Sequence, residues 1–254
     1  MPVAVTRKVS PALARCELTH LARDPIDINL AGEQHRRYEE LLVELGCNLM
    51  TLPAAPELPD SVFVEDTALV LDELAVILRP GAESRRPETE PISELLSRFR
   101  PIARIVPPGT LDGGDVLRLD RQILVGRSGR SNRSGIEQLS ALVDPLGYSV
   151  RGVSISGCLH LKSAVTQVAV KTVLLNAQWV DPALFTGYSA IRTHEEEPFA
   201  ANALLLAGTL VYPAAFPHTL SLLRQNGLHV RTLDVSELGK AEGGMTCCSL
   251  ILSP

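Results

Sequence analysis

Short apolar runs recur along the chain in pairs, each pair joined across two polar residues. TALVL (67–71) turns at Asp72-Glu73 into LAVILR (74–79). A Pro/Gly/Arg loop follows, then a helical spacing near 88–99 and a strand at 103–106. The order returns from Gly113: VLRL (116–119) turns at Asp120-Arg121 into ILVG (123–126), and a Gly/Ser/Arg loop leads to a helix at about 134–146 and a strand at 148–153. A third pass starts at His160, with strands near 163–170 and 172–176 and a short helix near 181–186. A fourth starts at Asn202, with strands at 203–207 and 209–212. Its helix takes Pro217 in the first turn, where a missing N–H costs nothing, and ends at Asn226-Gly227. A fifth unit joins the termini: CSLIL (248–252) pairs with VAVT (3–6), and a helix at 34–45 and NLMTL (48–52) complete it.

Each unit therefore reads β-β-α-β. Asp66, Asp115, His160, Asn202 and Cys247 hold matching places, immediately before the first strand, at spacings of 49, 45, 42 and 45 residues. Periods of this size mark propeller-like arrays, and a unit split between the termini closes the ring and removes free edges. The expectation is an α/β fold, a fivefold pseudosymmetric propeller of ββαβ units formed by residues 1–254 as one domain. Rotation about one axis would bring two acids, an imidazole, an amide and a thiol together. The plainer alternative is that strand ends simply carry polar residues.

Composition narrows the functions. With 45% hydrophobic residues but only 4% aromatic, the core must be built from Leu, Val, Ala and Ile. The net charge of −5 gives a mildly acidic surface, which argues against nucleic acid, since phosphate binding needs clustered Lys and Arg. MPVAVTRK has no long apolar stretch, and the most apolar region (199–216) is broken by Asn202, Gly208 and Pro213, so neither export nor a membrane span is expected. Five cysteines without framework spacing suit reduced thiols in a cytoplasm. There is no CxxC or HExxH, so no built-in metal site is expected.

The chemistry sits at the repeat marks. Cys247 lies in GGMTCCSLIL. On a strand, adjacent cysteines face opposite ways, so Cys247 and Cys248 cannot share a role. His160 opens HLKS and aligns by repeat with Cys247; an imidazole there can sustain a thiolate or later activate water. Asp112 and Asp115 flank two glycines in TLDGGDV, either as a plain Asp-Gly turn or with one acid orienting His160 and one holding a cation. Glu65 and Asp66 enter an apolar strand, which is costly unless a cation satisfies them. Arg85 and Arg86 in RPGAESRR and Arg130 in GRSGRSNRSG occupy equivalent loops, either solvated or as clamps for a substrate carboxylate. Carboxylates at one end and arginines at the other point to an amino acid with a guanidinium side chain.

PDSVFVEDTA (59–68), RPGAESRR (79–86), TLDGGDV (110–116), HLKS (160–163) and TCCSLI (246–251) together resemble the dimethylarginine dimethylaminohydrolase family, within the arginine-modifying superfamily that shares a fivefold α/β propeller. The motifs run in family order over nearly the whole chain. The resemblance implies Cys247 as nucleophile, His160 as general acid/base and Asp112 as its acidic partner. It implies Asp60, Glu65 and Asp66 around the guanidinium and amino-acid end, and Arg85 and Arg130 at the carboxylate and lid. Leu18 matches a lid residue. Ala241 matches a backbone contact beside the nucleophile loop, where relatives carry Val or Ile. Methylated arginine would become citrulline and an alkylamine through a covalent thiouronium, with no metal or organic cofactor. Zn²⁺ on Cys247 and His160 would inhibit. The partner is a small guanidino amino acid, and a homodimer is one possible assembly.

Relatives that act as arginine deiminases carry an acid two residues after the histidine, which would grip both free guanidinium nitrogens. Lys162 stands there instead, leaving room for methyl groups. A non-catalytic binding protein of the same fold would be expected to lack the thiol, the imidazole or an acid. An amidinotransferase usually needs a longer chain.

Overall fold

A computed structural model describes residues 1–253. Strand β1 (Val3–Arg7) leads to helix α1 (Ile28–Glu44) and β2 (Asn48–Leu52). The helix starts six residues earlier than its apolar spacing suggests. Asp27 caps it by accepting from the Asn29 and Leu30 amides, and the polar first turns are mostly on the outside. Next come β3 (Ala68–Val70), β4 (Ala75–Ile77), α2 (Thr89–Leu96) and β5 (Ile102–Arg104), then β6 (Val116–Leu119), β7 (Gln122–Arg127), α3 (Arg133–Val143) and β8 (Ser149–Ser154). Helix α3 is capped by Asn132, which accepts from the Gly135 amide. The third unit holds a short helix α4 (Leu161–Ala164), β9 (Val165–Ala169), β10 (Thr172–Leu175) and β11 (Ser189–Arg192). The fourth holds β12 (Leu204–Leu206), β13 (Thr209–Pro213), α5 (Pro217–Gln225) and β14 (Val230–Leu233). A last short helix, α6 (Ser236–Gly239), precedes β15 (Leu250–Leu252).

The strands form five separate three-stranded sheets. In each, the first strand pairs antiparallel with the middle one and the third pairs parallel with it. The fifth has the same pattern: β15 is antiparallel to β1, with Val3 opposite Leu252, and β2 is parallel to β1, with Val3 opposite Asn48. The apolar residues form five clusters, one at each junction between neighbouring units. Leu71 and Val76 of the first unit meet Ile123 and Tyr148 of the second, for example, and Val5 and Leu250 of the fifth meet Val64 and Ile92 of the first. Each sheet hides its apolar side against the next, so the fold is a closed fivefold α/β propeller with no uncovered end.

Two local expectations need correction. The two cysteines do not lie on a strand: β15 begins at Leu250, and residues 245–248 form turns. The repeat marks also do not all adjoin a strand. Asp66 and Asp115 sit in short 3-10 turns, and His160 caps α4. These turns put backbone amides, as well as side chains, at the centre. A closed circuit of hydrogen bonds results. Asp66 Oδ1 accepts from Gly114 N (2.8 Å), Asp115 Oδ1 from Leu161 N (3.0 Å), and Lys162 O from Asn202 Nδ2 (3.1 Å). Asn202 Oδ1 accepts from Thr246 N (3.0 Å), and the Thr246 hydroxyl donates to Glu65 Oε2 (2.7 Å). Every unit is thereby tied to the next around the axis.

Candidate active site

The turn Asp112-Gly-Gly-Asp115 forms the floor beneath the imidazole. A Cβ at Gly114 would stand 2.5 Å from His160 Nδ1, and one at Gly113 would overlap the Glu65 carbonyl, so neither position has room for a side chain. His160 Nε2 lies 3.1 Å from Asp112 Oδ2, and Asp112 Oδ1 accepts from Gly81 N at 2.8 Å. Donor atoms of Asp66, Asp112 and His160 all lie within 4.8 Å of one another, and all three residues are buried. The carboxylates are already engaged by protein donors: Asp66 by Arg85 Nη1 (2.6 Å) and Gly114 N, Asp112 by Gly81 N and the imidazole.

The charges oppose one another. Burial alone would lower the His160 pKa, but Asp66, Asp112 and Asp115 outweigh it and raise it to about 9. Burial would likewise raise Asp66, but His160 and Arg85 hold it at about 2. Cys247 is pushed well above the ordinary thiol range, first by burial and then by the negative charges of Glu65 and Asp66; the Gly244 N–H at 3.3 Å from its sulfur opposes this only in part. Before ligand enters, the site therefore holds an imidazolium and a protonated thiol.

Cys247 and His160 share the wall of two cavities. The smaller is lined by Asp60, Phe63, Asp66, Arg85, Arg130 and Ala241. The larger, about 510 Å³, is lined by Leu21, Phe199, Phe216 and Val235 together with charged groups that include Glu65 and Lys162. Cys248 turns away into the apolar cluster around Leu42 and Met245, as expected for the second cysteine, although a turn separates the pair.

The other candidates named by the sequence separate by position. Asp60 is buried and accepts from Glu17 N with both oxygens at 3.2 Å. Arg85 is not in a solvated loop. It is buried, with Glu88 and Asp66 on its fork and the carbonyls of Asp60 and Phe63 accepting from Nη2. Arg86 is not at the site: it bonds Glu83 and the Pro80 carbonyl. Arg130 faces Asp112 at 3.8 Å and donates to the Thr19 hydroxyl. Ala241 is buried beside the smaller cavity. Leu18 lines neither cavity; its side chain packs on the cluster around Leu13 and Phe63. Both Glu65 oxygens are occupied, by Lys162 and Thr246. Two residues escape the sequence reading. Glu88 binds Arg85, and its spacing of three residues within a helical turn is a readable signal. Glu242 accepts from the amides of Thr19, His20 and Leu21, and nothing local in AEGG announces that.

A ring of five ββαβ units with a thiol, an imidazole and carboxylates at one end defines a pentein, the arginine-modifying propeller class. No protein-family model matches the chain. Among curated proteins, it is 41% identical to the N(G),N(G)-dimethylarginine dimethylaminohydrolase of Streptomyces coelicolor, over 98% of this chain and 96% of that protein. It is 36% identical to the Pseudomonas aeruginosa protein of the same name, over 91% of each. A structure of the Pseudomonas aeruginosa enzyme, a cysteine-to-serine variant complexed with citrulline, superposes with a TM-score of 0.94 at 34% identity, covering 98% of both chains. The chain belongs to the dimethylarginine dimethylaminohydrolase family. No helix among the described residues is long and apolar enough to cross a membrane.

Proposed function

We propose that this chain hydrolyses Nω-methylated arginines, asymmetric dimethylarginine and monomethylarginine, to citrulline and the alkylamine. The observation that carries it is the shared position of Cys247 and His160 between a small cavity rich in charge and a larger one with Leu21, Phe199, Phe216 and Val235 among its walls. The amino-acid end of the substrate occupies the first. Asp60 and the backbone near Leu18 and Ala241 take its amine. Arg130 takes its carboxylate, while Arg85, fixed by Asp66 and Glu88, adds charge from behind. The guanidinium lies against Asp66 with its methyl groups toward the larger cavity.

A cation there offsets the carboxylates that keep the thiol protonated, so Cys247 releases its proton to solvent as substrate binds. The thiolate attacks the guanidinium carbon. With Nε2 held by Asp112, Nδ1 of His160 supplies the proton that the departing amine takes up, and the C–N bond breaks to leave a thiouronium. Neutral His160 then takes a proton from water. The hydroxide adds to the same carbon, the C–S bond breaks as Cys247 leaves as thiolate, and the new O–H proton passes to that thiolate, leaving neutral citrulline, the resting thiol and an imidazolium. None of these steps draws on a metal or organic cofactor, and added Zn²⁺ competes for the thiol and imidazole and slows turnover. Five free thiols fit a cytoplasmic protein.

The test is incubation with asymmetric dimethylarginine, monomethylarginine and arginine, with citrulline, alkylamines and ammonia measured. Citrulline and dimethylamine in equal amounts are expected. Ammonia from arginine as the main product would instead make the chain a deiminase, and no turnover of any of the three would make it a guanidine-binding protein.

A further inference from the structure

Asp115 takes no direct part in the chemistry above, yet it is fully buried and no basic side chain forms a salt bridge with it among the described residues. Its bonds reach three separate parts of the site. Oδ1 accepts from Leu161 N at 3.0 Å, the amide that follows His160. Oδ2 accepts from the hydroxyls of Ser128 and, at 2.6 Å, Ser131. The Ser128 oxygen in turn accepts from Arg130 N at 3.0 Å and Ser131 N at 3.3 Å, which shapes the loop that carries Arg130. The Ser131 oxygen accepts from Asp112 N at 3.1 Å, which fixes the acid that holds His160. Gly126 leaves the space for this carboxylate, since a Cβ there would lie 2.6 Å from Oδ1.

We infer that Asp115 is the positioning residue that locks the two ends of the site in register: His160 and Asp112 at the reacting carbon, and Arg130 at the substrate carboxylate. The inference rests on the proposed function and assigns Asp115 a part in that reaction. Only a carboxylate satisfies all three donors at once. An amide of the same shape has one acceptor oxygen, and its NH₂ would face either the Leu161 amide or two hydroxyls already accepting backbone N–H groups. Burial raises the Asp115 pKa to about 6, a cost that a purely apolar filling would avoid. Misplacement by less than an ångström at either end is enough to slow a reaction that depends on alignment.

The test uses Asp115→Asn, Ser128→Ala and Ser131→Ala in the full chain. Rates are measured per folded molecule, with the folded fraction taken from thermal unfolding. Ser128→Ala is expected to raise KM for asymmetric dimethylarginine about 10-fold with little change in kcat, by loosening the Arg130 loop. Ser131→Ala is expected to lower kcat about 10-fold and to lower the His160 pKa seen by NMR, by loosening Asp112. Asp115→Asn is expected to do both. If Asp115→Asn fails to fold, the opposite signatures of the two serine variants decide. Wild-type KM, kcat and His160 titration in the folded variants would overturn the inference, as would losses that follow the folded fraction alone. If the wild-type chain turns over no methylarginine, the proposed function fails; the His160 titration and citrulline affinity of the same variants still test Asp115.

Discussion

Lys162 Nζ rests 2.6 Å from Glu65 Oε1, and both groups line the larger cavity beside Cys247. The sequence suggests that Lys162 matters by what it replaces, an acid that would grip a bare guanidinium. The structure adds what it touches. It neutralises one of the two carboxylates that keep the Cys247 thiol protonated. Lys162→Met should leave Glu65 buried without its cation and raise the thiol further. We expect kcat/KM for monomethylarginine to fall about 10-fold, from a loss of about 1–2 kcal/mol of transition-state stabilisation at a pair that lies between the exposed and the fully buried case. Thiol alkylation rates across pH should shift toward higher pH. Unchanged alkylation in the variant would show that Lys162 does not act on Cys247.

The His160–Asp112 pair sets an alkaline limit. With the imidazole raised to about 9, the proton given to the leaving amine is present at neutral pH and is lost as pH climbs through about 9. The kcat profile should therefore decline on the alkaline side, where the imidazole gives up that proton. Asp112→Asn removes a carboxylate that supports the imidazolium, so the decline should begin at lower pH, with kcat down about 100-fold or more. Stability follows the same sign. The pair's contribution is complete below the ordinary histidine value of about 6.5 and disappears as pH rises toward about 9. Unfolding midpoints of the two proteins should thus differ most at mildly acidic pH and converge at alkaline pH.

Cys247 should be a slow thiol until substrate arrives. Its high pKa predicts that iodoacetamide labels the free protein more slowly at about pH 7 than it labels a simple thiol, with the rate still rising above about pH 9. Mass spectrometry would locate the label at Cys247, because Cys16, Cys47, Cys158 and Cys248 are buried. Cys247→Ser should lose essentially all turnover. Fast labelling with a plateau below about pH 7 would mean that the free protein holds a thiolate, contrary to the charge balance described.

The ring is legible because its signal repeats. β6 and β2 fall on the residues their alternation marks, 116–119 and 48–52, and the split fifth sheet follows from the same period. Turn chemistry is harder to read. The adjacent cysteines read as strand residues leading into CSLIL (248–252), but the 244–247 loop lies close against Asn202, and residues 245–248 form turns. The acids are legible as polar residues entering a core. Their partners are not: Gly114 N, Leu161 N and Thr246 reach them from other units, 46–181 residues away along the chain. Arg85 reads more readily as part of a solvated loop than as a clamp, and only the buried Glu88 and Asp66 around it show that its fork is fixed in advance.

Glu242 ties the 17–24 loop, which we propose covers bound substrate as a lid, to the loop that carries Cys247. Its carboxylate accepts from Thr19 N at 3.1 Å, His20 N at 2.5 Å and Leu21 N at 2.7 Å, and its own backbone is left-handed with φ of 57°. A non-glycine residue in that conformation carries a small strain, which three bonds to an ionised acceptor can offset. The loop at 17–24 has few other anchors: Glu17 N on Asp60, Ser84 on Glu17, Arg130 on the Thr19 hydroxyl, and Arg23 on the Ala14 and Cys16 carbonyls. Glu242→Gln keeps the shape but replaces the charged acceptor with a neutral one, a loss of about 1–2 kcal/mol of loop closure. The lid then spends more time open. KM for asymmetric dimethylarginine should rise about 10-fold while kcat stays within a factor of about three, because closed complexes still react. Limited proteolysis at Arg15 or Arg23 should quicken in the variant, and citrulline should protect it less than it protects the wild-type chain. Faster cleavage with an unchanged KM would separate lid mobility from substrate capture and assign Glu242 to loop order alone.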